Sequence, residues 1–310
     1  MKNEIITINN LSKSFGNNVI FQNLSYSIKE GSIFGIVGLN GSGKTTFIKL
    51  LLGLLKPDNG NINILGFNPW KHKCDYYRQI GVILENDGFS GNLSVLENLK
   101  IFADAKKILW SYVKEYINSY WKNTFIEQEI IKNGKKVKLL SRGQKMQCAI
   151  CRAFLLWPKV LFLDEPTVCL DLNAIEHFYN LIKVANKKGA TIIISSHQLS
   201  AIEELCDSVG LIKNKNIDII KNITSGDTLE PWIIKSNFEQ RFGDIIKEYS
   251  ESPPSYSDGA WHFEIINSKD KIPEIVSKLT NTGCKILEVT QEKEILKRRI
   301  LLNSEKIEKL

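Results

Sequence analysis

The sequence predicts an α/β fold with a mostly parallel sheet, followed by a smaller α+β part. Short apolar segments alternate with segments of helical periodicity over the first two thirds of the chain, as in a sheet covered on both faces. A glycine-rich turn joins one of these apolar segments to a helical one. The length of 310 residues exceeds the usual size of one domain, and the order of elements changes near residue 222.

The predicted strands of the first part are short apolar runs bounded by turn residues. They are Ser32–Val37, Asn61–Leu65, Ile80–Leu84, Val160–Leu163 and Ala190–Ser195. A helix is predicted at Thr45–Leu55, directly after the glycine-rich turn. Apolar residues also recur at helical spacing from Ser94 to Lys138, which predicts an inserted helical subdomain at about residues 86–140. We expect these elements to form one domain over residues 1–222.

The last part of the chain shows a different order of elements. Its predicted strands are Trp232–Lys235, His262–Ile266 and Lys285–Val289, and its predicted helices are Phe238–Tyr249, Ile272–Leu279 and Lys293–Leu302. The prolines within Ser252–Ser255 indicate a loop. We therefore expect a small α+β accessory domain over residues 223–310, and its sequence indicates no ligand.

The composition excludes disordered, disulfide-rich and membrane-spanning chains. Hydrophobic residues make up 43% and charged residues 24%, and no run approaches the ~18 apolar residues of a membrane span. The N-terminus has no apolar signal core, so we expect a soluble intracellular protein. The six cysteines are scattered. Cys148 and Cys151 form a CxxC with no second Cys or His pair nearby, and we expect small buried residues there, not a metal site.

The net charge of +7 comes from the first 222 residues, because the rest has 13 Lys and Arg against 15 Asp and Glu. A basic excess favours a polyphosphate ligand or an anionic membrane surface, and on charge alone nucleic acid remains open. A solvated basic surface without a ligand explains the charge equally well.

One segment matches the pattern G-x-x-x-x-G-K-[ST] and lies between a predicted strand and a predicted helix. Its glycines let backbone N–H groups surround an oxyanion at the positive end of a helix. Lys44 is expected to reach the β- and γ-phosphates of a nucleotide, and the Thr45 hydroxyl to ligate Mg²⁺. The candidate phosphate-binding residues are Gly38, Asn40, Gly41, Ser42, Gly43, Lys44, Thr45 and Thr46.

Two acids end the apolar strand that begins at Val160. In a parallel sheet the carboxyl ends of the strands form the ligand crevice, so both acids should lie beside the phosphates. We expect Asp164 to hold Mg²⁺ through water and Glu165 to polarise the attacking water.

Further motifs follow in order along the chain. Leu140–Gln144 reads Leu-Ser-Arg-Gly-Gln, Leu170 precedes Asp171, His197 follows the last predicted strand, and Phe15 lies 23 residues before Gly38. With the two preceding motifs, these make the chain resemble the ATP-binding subunits of ABC transporters over about residues 4–220.

The resemblance implies a P-loop NTPase fold of ABC type with an added antiparallel β portion. It also implies roles for further residues: Phe15 stacks on adenine, His197 contacts the γ-phosphate and orients Glu165 and water, and Asp171 belongs to the loop that links the subunits. Ser141, Arg142, Gly143 and Gln144 would form the signature motif, which binds the ATP held by a partner subunit.

The cofactors and partners implied by the resemblance are ATP, Mg²⁺, a second copy packed head to tail, and a separate transmembrane permease. We expect a cytoplasmic protein, peripheral on the inner face of the cell membrane, and no nucleic acid partner.

Three positions depart from the family pattern. Glu85 stands where a Gln usually touches Mg²⁺ and the permease, Arg142 replaces a glycine, and Cys169 replaces a Gly or Ala whose backbone conformation would strain other residues. Glu85 within the run Ile80–Asn86 resembles the subgroup that exports peptide antibiotics, including lantibiotic self-protection and bacitracin resistance. The alternative is that Glu85 merely starts a loop.

We therefore predict the ATP-hydrolysing subunit of an ABC exporter, with an antimicrobial peptide as the suggested cargo. A drug or a lipid remains an alternative cargo. A soluble ABC-type ATPase acting on ribosomes or DNA is the alternative from a different class. It is less favoured because one ATPase half is present and the segment between Glu85 and Leu140 is too short for a long coiled coil.

Overall fold

The computed structural model describes residues 3–39, 41–84, 88–131, 134–197, 199–221, 230–237, 240–266 and 268–291. Contacts between residues divide the chain into two units. The first comprises residues 1–198 and 205–221, and the second comprises residues 199–204 and 222–310.

The strands of the first unit form two sheets. In chain order they are β1 (Glu4–Phe15), β2 (Asn18–Lys29), β3 (Ile33–Val37), β4 (Asn59–Ile64), β5 (Ile80–Ile83), β6 (Val160–Asp164), β7 (Thr191–Ser195), β8 (Ser208–Lys213) and β9 (Asn216–Lys221). The larger sheet has the order β5-β6-β7-β3-β8-β9, in which β9 alone is antiparallel to its neighbour. The smaller sheet, β2-β1-β4, is antiparallel throughout. The predicted parallel sheet and antiparallel portion are both confirmed.

The helices lie between these strands. They are α1 (Lys44–Leu51), α2 (Lys73–Gln79), α3 (Val95–Lys106), α4 (Trp110–Tyr120), α5 (Phe125–Ile131), α6 (Arg142–Phe154), α7 (Leu172–Lys187) and α8 (Leu199–Leu205), most of which belongs to the second unit. The described part of the insert between β5 and β6 contains α3 to α6 and a short bridge. The predicted helical subdomain is therefore present, and α6 begins just after its expected end at residue 140.

Strands β3, β6 and β7 are buried along their whole length, which explains their continuous apolar sequences. All five strands predicted for this part are present, with ends within two residues of the expected ones. The predicted helix Thr45–Leu55 ends early, at Leu51. The reason is Gly53, whose φ of 69° leaves the helical region and whose backbone lies against Pro69.

The second unit contains a four-stranded antiparallel sheet and two further helices. Its elements are β10 (Glu230–Ser236), α9 (Gln240–Lys247), β11 (Ser255–Ser257), β12 (Ala260–Ile265), α10 (Ser268–Asn281) and β13 (Ile286–Gln291), with the strand order β11-β12-β10-β13. A core of its own includes Phe242, Phe263 and Ile275. The predicted α+β composition is confirmed, and the predicted helix Lys293–Leu302 lies outside the described residues.

Candidate active site

The glycine-rich turn connects β3 to the first residue of α1. Gly43 has a φ of 112°, and a side chain there would approach Ile20 Cγ2 to 2.8 Å, so only glycine fits. A side chain at Gly38 would collide with the Ser42 hydroxyl. The turn is therefore closed tightly enough to direct its backbone inward, and α1 begins at its end.

Two polar groups of this turn are poised for an anion. Lys44 is buried, and its Nζ donates to the carbonyls of Gly38 at 2.8 Å and Leu39 at 3.3 Å. The Ser42 hydroxyl is buried and has no hydrogen-bond partner among the described residues. A phosphate oxygen at the turn would supply the partner that the Ser42 hydroxyl lacks, because a buried polar group without a partner is costly. Asn40, also predicted to bind phosphate, lies outside the described residues.

The ends of β6 and β7 bring the predicted acids together. Asp164 pairs with Ser195 in the parallel register of the two strands. The Ser195 hydroxyl donates to Asp164 Oδ1 at 2.6 Å and accepts the Glu165 N–H at 3.0 Å. Asp164 and Ser195 are both buried, so this hydroxyl fixes one carboxylate and the backbone of the next residue.

Glu165 and His197 form the second contact at these strand ends. His197 Nδ1 lies 2.8 Å from Glu165 Oε2, and the His197 N–H also donates to that oxygen at 3.4 Å. Glu165 has a φ of 49°, an uncommon conformation for a non-glycine residue that turns its side chain out of the strand. The histidine and glutamate side chains are 55% and 26% exposed, so the pair faces solvent.

A cavity of about 470 Å³ lies over these strand ends. It is lined by Thr45, Leu84, Arg142, Lys145, Met146, Ala149, Asp164, Glu165, Val168, Cys169 and His197. The structure thus brings the predicted metal-binding hydroxyl, both acids and the histidine to one opening. Glu85 lies outside the described residues, so its predicted contact stays a prediction.

The predicted signature residues form the start of α6. The Ser141 hydroxyl accepts the Gln144 N–H at 3.2 Å, and Gln144 Oε1 accepts the Ser141 N–H at 3.0 Å, which is a capping box. The Arg142 side chain is exposed. Gly143 packs against the Cys169 carbonyl oxygen, which a side chain would approach to 2.5 Å.

Cys169 adopts a backbone conformation that is more usual for glycine. Its φ is 69°, in the left-handed region, and its side chain is exposed. Asp171, two residues later, caps α7 by accepting the Ala174 N–H at 2.8 Å.

Phe15 stands apart from the cavity in this chain. It ends β1 and is 48% exposed, although large aromatic side chains are usually buried. Of the described residues predicted for the site, only five line the cavity: Thr45, Arg142, Asp164, Glu165 and His197. The others do not line it: Phe15, Gly38, Gly41, Ser42, Gly43, Lys44, Thr46, Ser141, Gly143, Gln144 and Asp171.

Sequence reasoning missed Ser195, which links Asp164 to Glu165. A signal for it existed, because a serine ends the strand that precedes His197. The residue pairing between β6 and β7 was needed to place it beside Asp164.

Comparison with known proteins identifies the family. The sequence profile described as "ABC transporter" matches residues 21–168, and one described as "AAA domain, putative AbiEii toxin, Type IV TA system" matches residues 134–203. The lantibiotic transport ATP-binding protein SrtF of Streptococcus pyogenes is 32% identical over 73% of this chain and 94% of its own length. The chain belongs to the ATP-binding proteins of ABC transporters. It is therefore a nucleotide-binding protein of an ATPase family.

Two further relatives extend the similarity of this ABC protein. The bacitracin transport ATP-binding protein BcrA of Bacillus licheniformis is 42% identical over 67% of this chain and 66% of its own length. YdbJ of Bacillus subtilis, described as an uncharacterized ABC transporter ATP-binding protein, is 32% identical over 94% of this chain and 92% of its own.

Solved structures of ABC proteins share the fold. An ATP-binding subunit of an ABC transporter superimposes with a TM-score of 0.66 at 27% identity, over 70% of this chain and 90% of that one. CbiO1 of Clostridium perfringens, part of the transporter complex CbiONQ, gives 0.60 at 27% identity, over 72% and 90%. Among the described residues, no helix has both the length and the apolar character needed to cross a membrane.

Proposed function

We propose that this chain hydrolyses ATP as a subunit of an ABC exporter, working with a separate membrane permease to export an antimicrobial peptide. The observation that carries the proposal is the arrangement of Glu165 and His197. The two side chains meet at 2.8 Å on the rim of the cavity that Thr45 and Asp164 also line. A carboxylate held by a histidine beside a phosphate site is suited to orient and polarise a water molecule.

The glycine-rich turn would bind the triphosphate. Lys44 would exchange its two carbonyl partners for the β- and γ-phosphate oxygens, and the Ser42 hydroxyl would gain the partner it lacks. Thr46 follows on α1, whose N-terminal end favours negative charge.

The donor set fits Mg²⁺, which when bound with ATP neutralises phosphate charge. Thr45 and Asp164 supply oxygen ligands at one cavity. No three His, Cys, Asp or Glu side chains gather as a metal site within the described part of the chain. The ion would therefore be held by these oxygens with phosphate and water, as Mg²⁺ prefers, and Glu85 is proposed as a further ligand.

A second copy, packed head to tail, would complete each site. Leu39 in the glycine-rich turn and Leu172 at the start of α7 are 86% and 83% exposed, unusual for leucine, and both flank proposed binding loops. The exposed Ser141 and Arg142 at the start of α6 would face the nucleotide of the partner.

The cargo proposal rests on similarity and on the subgroup pattern at Glu85. Two relatives are described as bacitracin and lantibiotic transport proteins. We propose that residues 1–222 act as the ATPase domain, docked at the inner face of the membrane, and residues 223–310 as an accessory domain.

Two substitutions test the ATPase assignment. Glu165→Gln should abolish turnover and leave ATP binding intact, because it removes the carboxylate that polarises water. Lys44→Ala should instead lose ATP affinity, since Lys44 contacts phosphates before the reaction starts. Phosphate release and calorimetry measure the two effects. Near-normal phosphate release by Glu165→Gln would refute the proposed role of Glu165.

Co-expression with the permease tests the cargo. Cells that carry both proteins should tolerate bacitracin or a lantibiotic better than cells with Glu165→Gln and the permease. If the two kinds of cells tolerated each peptide equally, the proposed cargo would be contradicted. The ATPase assignment would still stand.

A further inference from the structure

Phe15 lies at the tip of the hairpin between β1 and β2, a position that needs support if its ring is to bind anything. Its neighbour Gly16 forms the turn, with a φ of 57°. The ring is 48% exposed, so packing from the core cannot fix it.

Asp58, from the loop between α1 and β4, supplies three bonds to the last residues of β1. Its N–H donates to the Ser12 carbonyl at 2.9 Å, and its Oδ2 accepts the Ser14 N–H at 2.7 Å. Its Oδ1 accepts from Lys13 Nζ at 2.8 Å. Three successive residues before Phe15 are therefore tied to one residue that is distant in the chain.

The Lys13 ammonium contacts both Asp58, the anchor of this strand end, and the Phe15 ring. Lys13 lies two residues before Phe15, and its Nζ lies over the ring, 5.4 Å from the centroid. The hydrogen bonds from Lys13 and from the Ser14 N–H both lower the pKa of the Asp58 carboxyl, and the bond from Lys13 has the larger effect. The carboxylate therefore stays charged at neutral pH. The Lys13 side chain is only 14% exposed, so the ammonium is held against one face of the ring.

We propose that Lys13 and Asp58 are positioning residues for nucleotide binding, holding Phe15 so that its open face stacks on a purine base. The inference rests on the proposed function, because it takes Phe15 as the base-stacking residue. The ammonium is attracted to one face of the ring and leaves the other face free to stack. A purine offers that open face a larger stacking area than a pyrimidine does.

Calorimetry with three ligands tests the pair: ATP, CTP and inorganic tripolyphosphate, which has no base. The wild type should bind ATP more tightly than CTP, since a purine offers the ring a larger stacking surface than a pyrimidine does. Asp58→Ala and Lys13→Met should each weaken ATP binding about threefold to tenfold and leave tripolyphosphate binding within about twofold. Lys13→Met keeps an unbranched side chain that is one atom shorter and removes the ammonium together with its bond to Asp58.

The matched control is Asp75→Ala, which breaks the exposed ion pair with Arg78, 3.5 Å long, on α2. This control should change the binding of none of the three ligands. In a Phe15→Ala background, Asp58→Ala should have no further effect on ATP affinity, because the two act through one ring.

Two results would overturn the inference. Equal losses for ATP and tripolyphosphate would mean that the pair merely supports the fold, and unchanged ATP affinity would mean that it is an ordinary surface ion pair. Failure of the wild type to bind ATP would refute the proposed function, and with it the role of Phe15.

Discussion

Ser195 forms hydrogen bonds with both acidic residues of the candidate site. Its hydroxyl serves as donor to Asp164 and acceptor for the Glu165 N–H, and it is fully buried. One side chain therefore holds the carboxylate of the proposed metal ligand and the backbone of the proposed catalytic residue. This makes Ser195 a positioning residue.

Replacing Ser195 by alanine should slow ATP hydrolysis about tenfold and change ATP affinity less than threefold, because binding relies mainly on the glycine-rich turn. The free energy of unfolding should fall by about 1–3 kcal/mol, since a buried carboxylate and a partly buried N–H lose their partner. Steady-state kinetics and thermal denaturation measure both. Ser195→Thr keeps the hydroxyl and should recover much of the rate; a wild-type rate in Ser195→Ala would exclude the positioning role.

At the scale of elements, the start of α6 and the loop before α7 approach each other closely. Gly143 lies on the helix, and Cys169 reaches its carbonyl toward it with a left-handed backbone. Glycine inside a helix ordinarily costs stability. Its presence here is explained by the carbonyl, which leaves no room for a methyl group.

Gly143→Ala should therefore lower stability, although glycine to alanine in a helix usually raises it by about 0.5–1 kcal/mol. Pushing the loop away should cost about 1–3 kcal/mol and slow hydrolysis, since Cys169 shares the cavity with Glu165 and His197. Denaturant titration and ATPase assays are the measurements. A gain in stability would show that the loop yields without cost.

The end of α3 buries a charge close to β5. Lys106 Nζ donates to the Ile80 carbonyl at 2.6 Å. Burial, aided by the charge of Arg152, lowers the pKa of Lys106 to about 8. The unfolded chain would keep this proton up to a pH of about 10.5, so burying the ammonium costs stability at neutral pH.

Lys106→Met should raise the free energy of unfolding by about 1–2 kcal/mol at pH 7. This gain is smaller than the lowered pKa alone implies, because solvent screens part of the charge and the bond to Ile80 is lost. The cost in the wild type is full below pH 8 and disappears as the pH rises from about 8 to 10.5. The advantage of the variant should shrink over that range. Urea titrations at several pH values measure it, and a difference that does not vary with pH would contradict the assigned cause.

At the scale of the whole molecule, the candidate site is open on one side. The cavity, the start of α6 and two exposed leucines belong to the surfaces that the proposed second copy would cover. Leu172 follows the capping residue Asp171, so it presents an apolar side chain beside the loop of Cys169. An ATP-dependent dimer that covers Leu172 would explain why this leucine is exposed in the single chain.

Glu165→Gln should form a dimer with ATP and remain a monomer without it, as measured by size-exclusion chromatography with light scattering. Adding Leu172→Lys should prevent the dimer and leave ATP binding unchanged, because a buried unpaired charge opposes association. The control is Leu287→Lys, at a leucine on β13 that is 81% exposed. A dimer that survives Leu172→Lys would place the interface elsewhere.

Local sequence patterns were enough for much of the fold and for the centre of the site. Continuous apolar runs predicted the parallel strands β3, β5, β6 and β7 but not β8, and helical spacing predicted the insert between Ile80–Leu84 and Val160–Leu163. The glycine-rich turn and the acids at a strand end predicted the phosphate side of the cavity. These predictions succeed because residues close together in the sequence determine each feature: burial of both faces of a strand, a positive φ, or the start of a helix.

The tertiary structure decided the features that join distant parts of the chain. Strands β1 and β2 were not predicted, because register shifts along their pairing break the alternation of apolar and polar residues. The approach of Gly143 to Cys169, the bonds of Ser195 and the anchor at Asp58 depend on how strands pair and elements pack. No local pattern encodes such contacts, because their energy comes from residues that only the folded chain brings within hydrogen-bond or van der Waals distance.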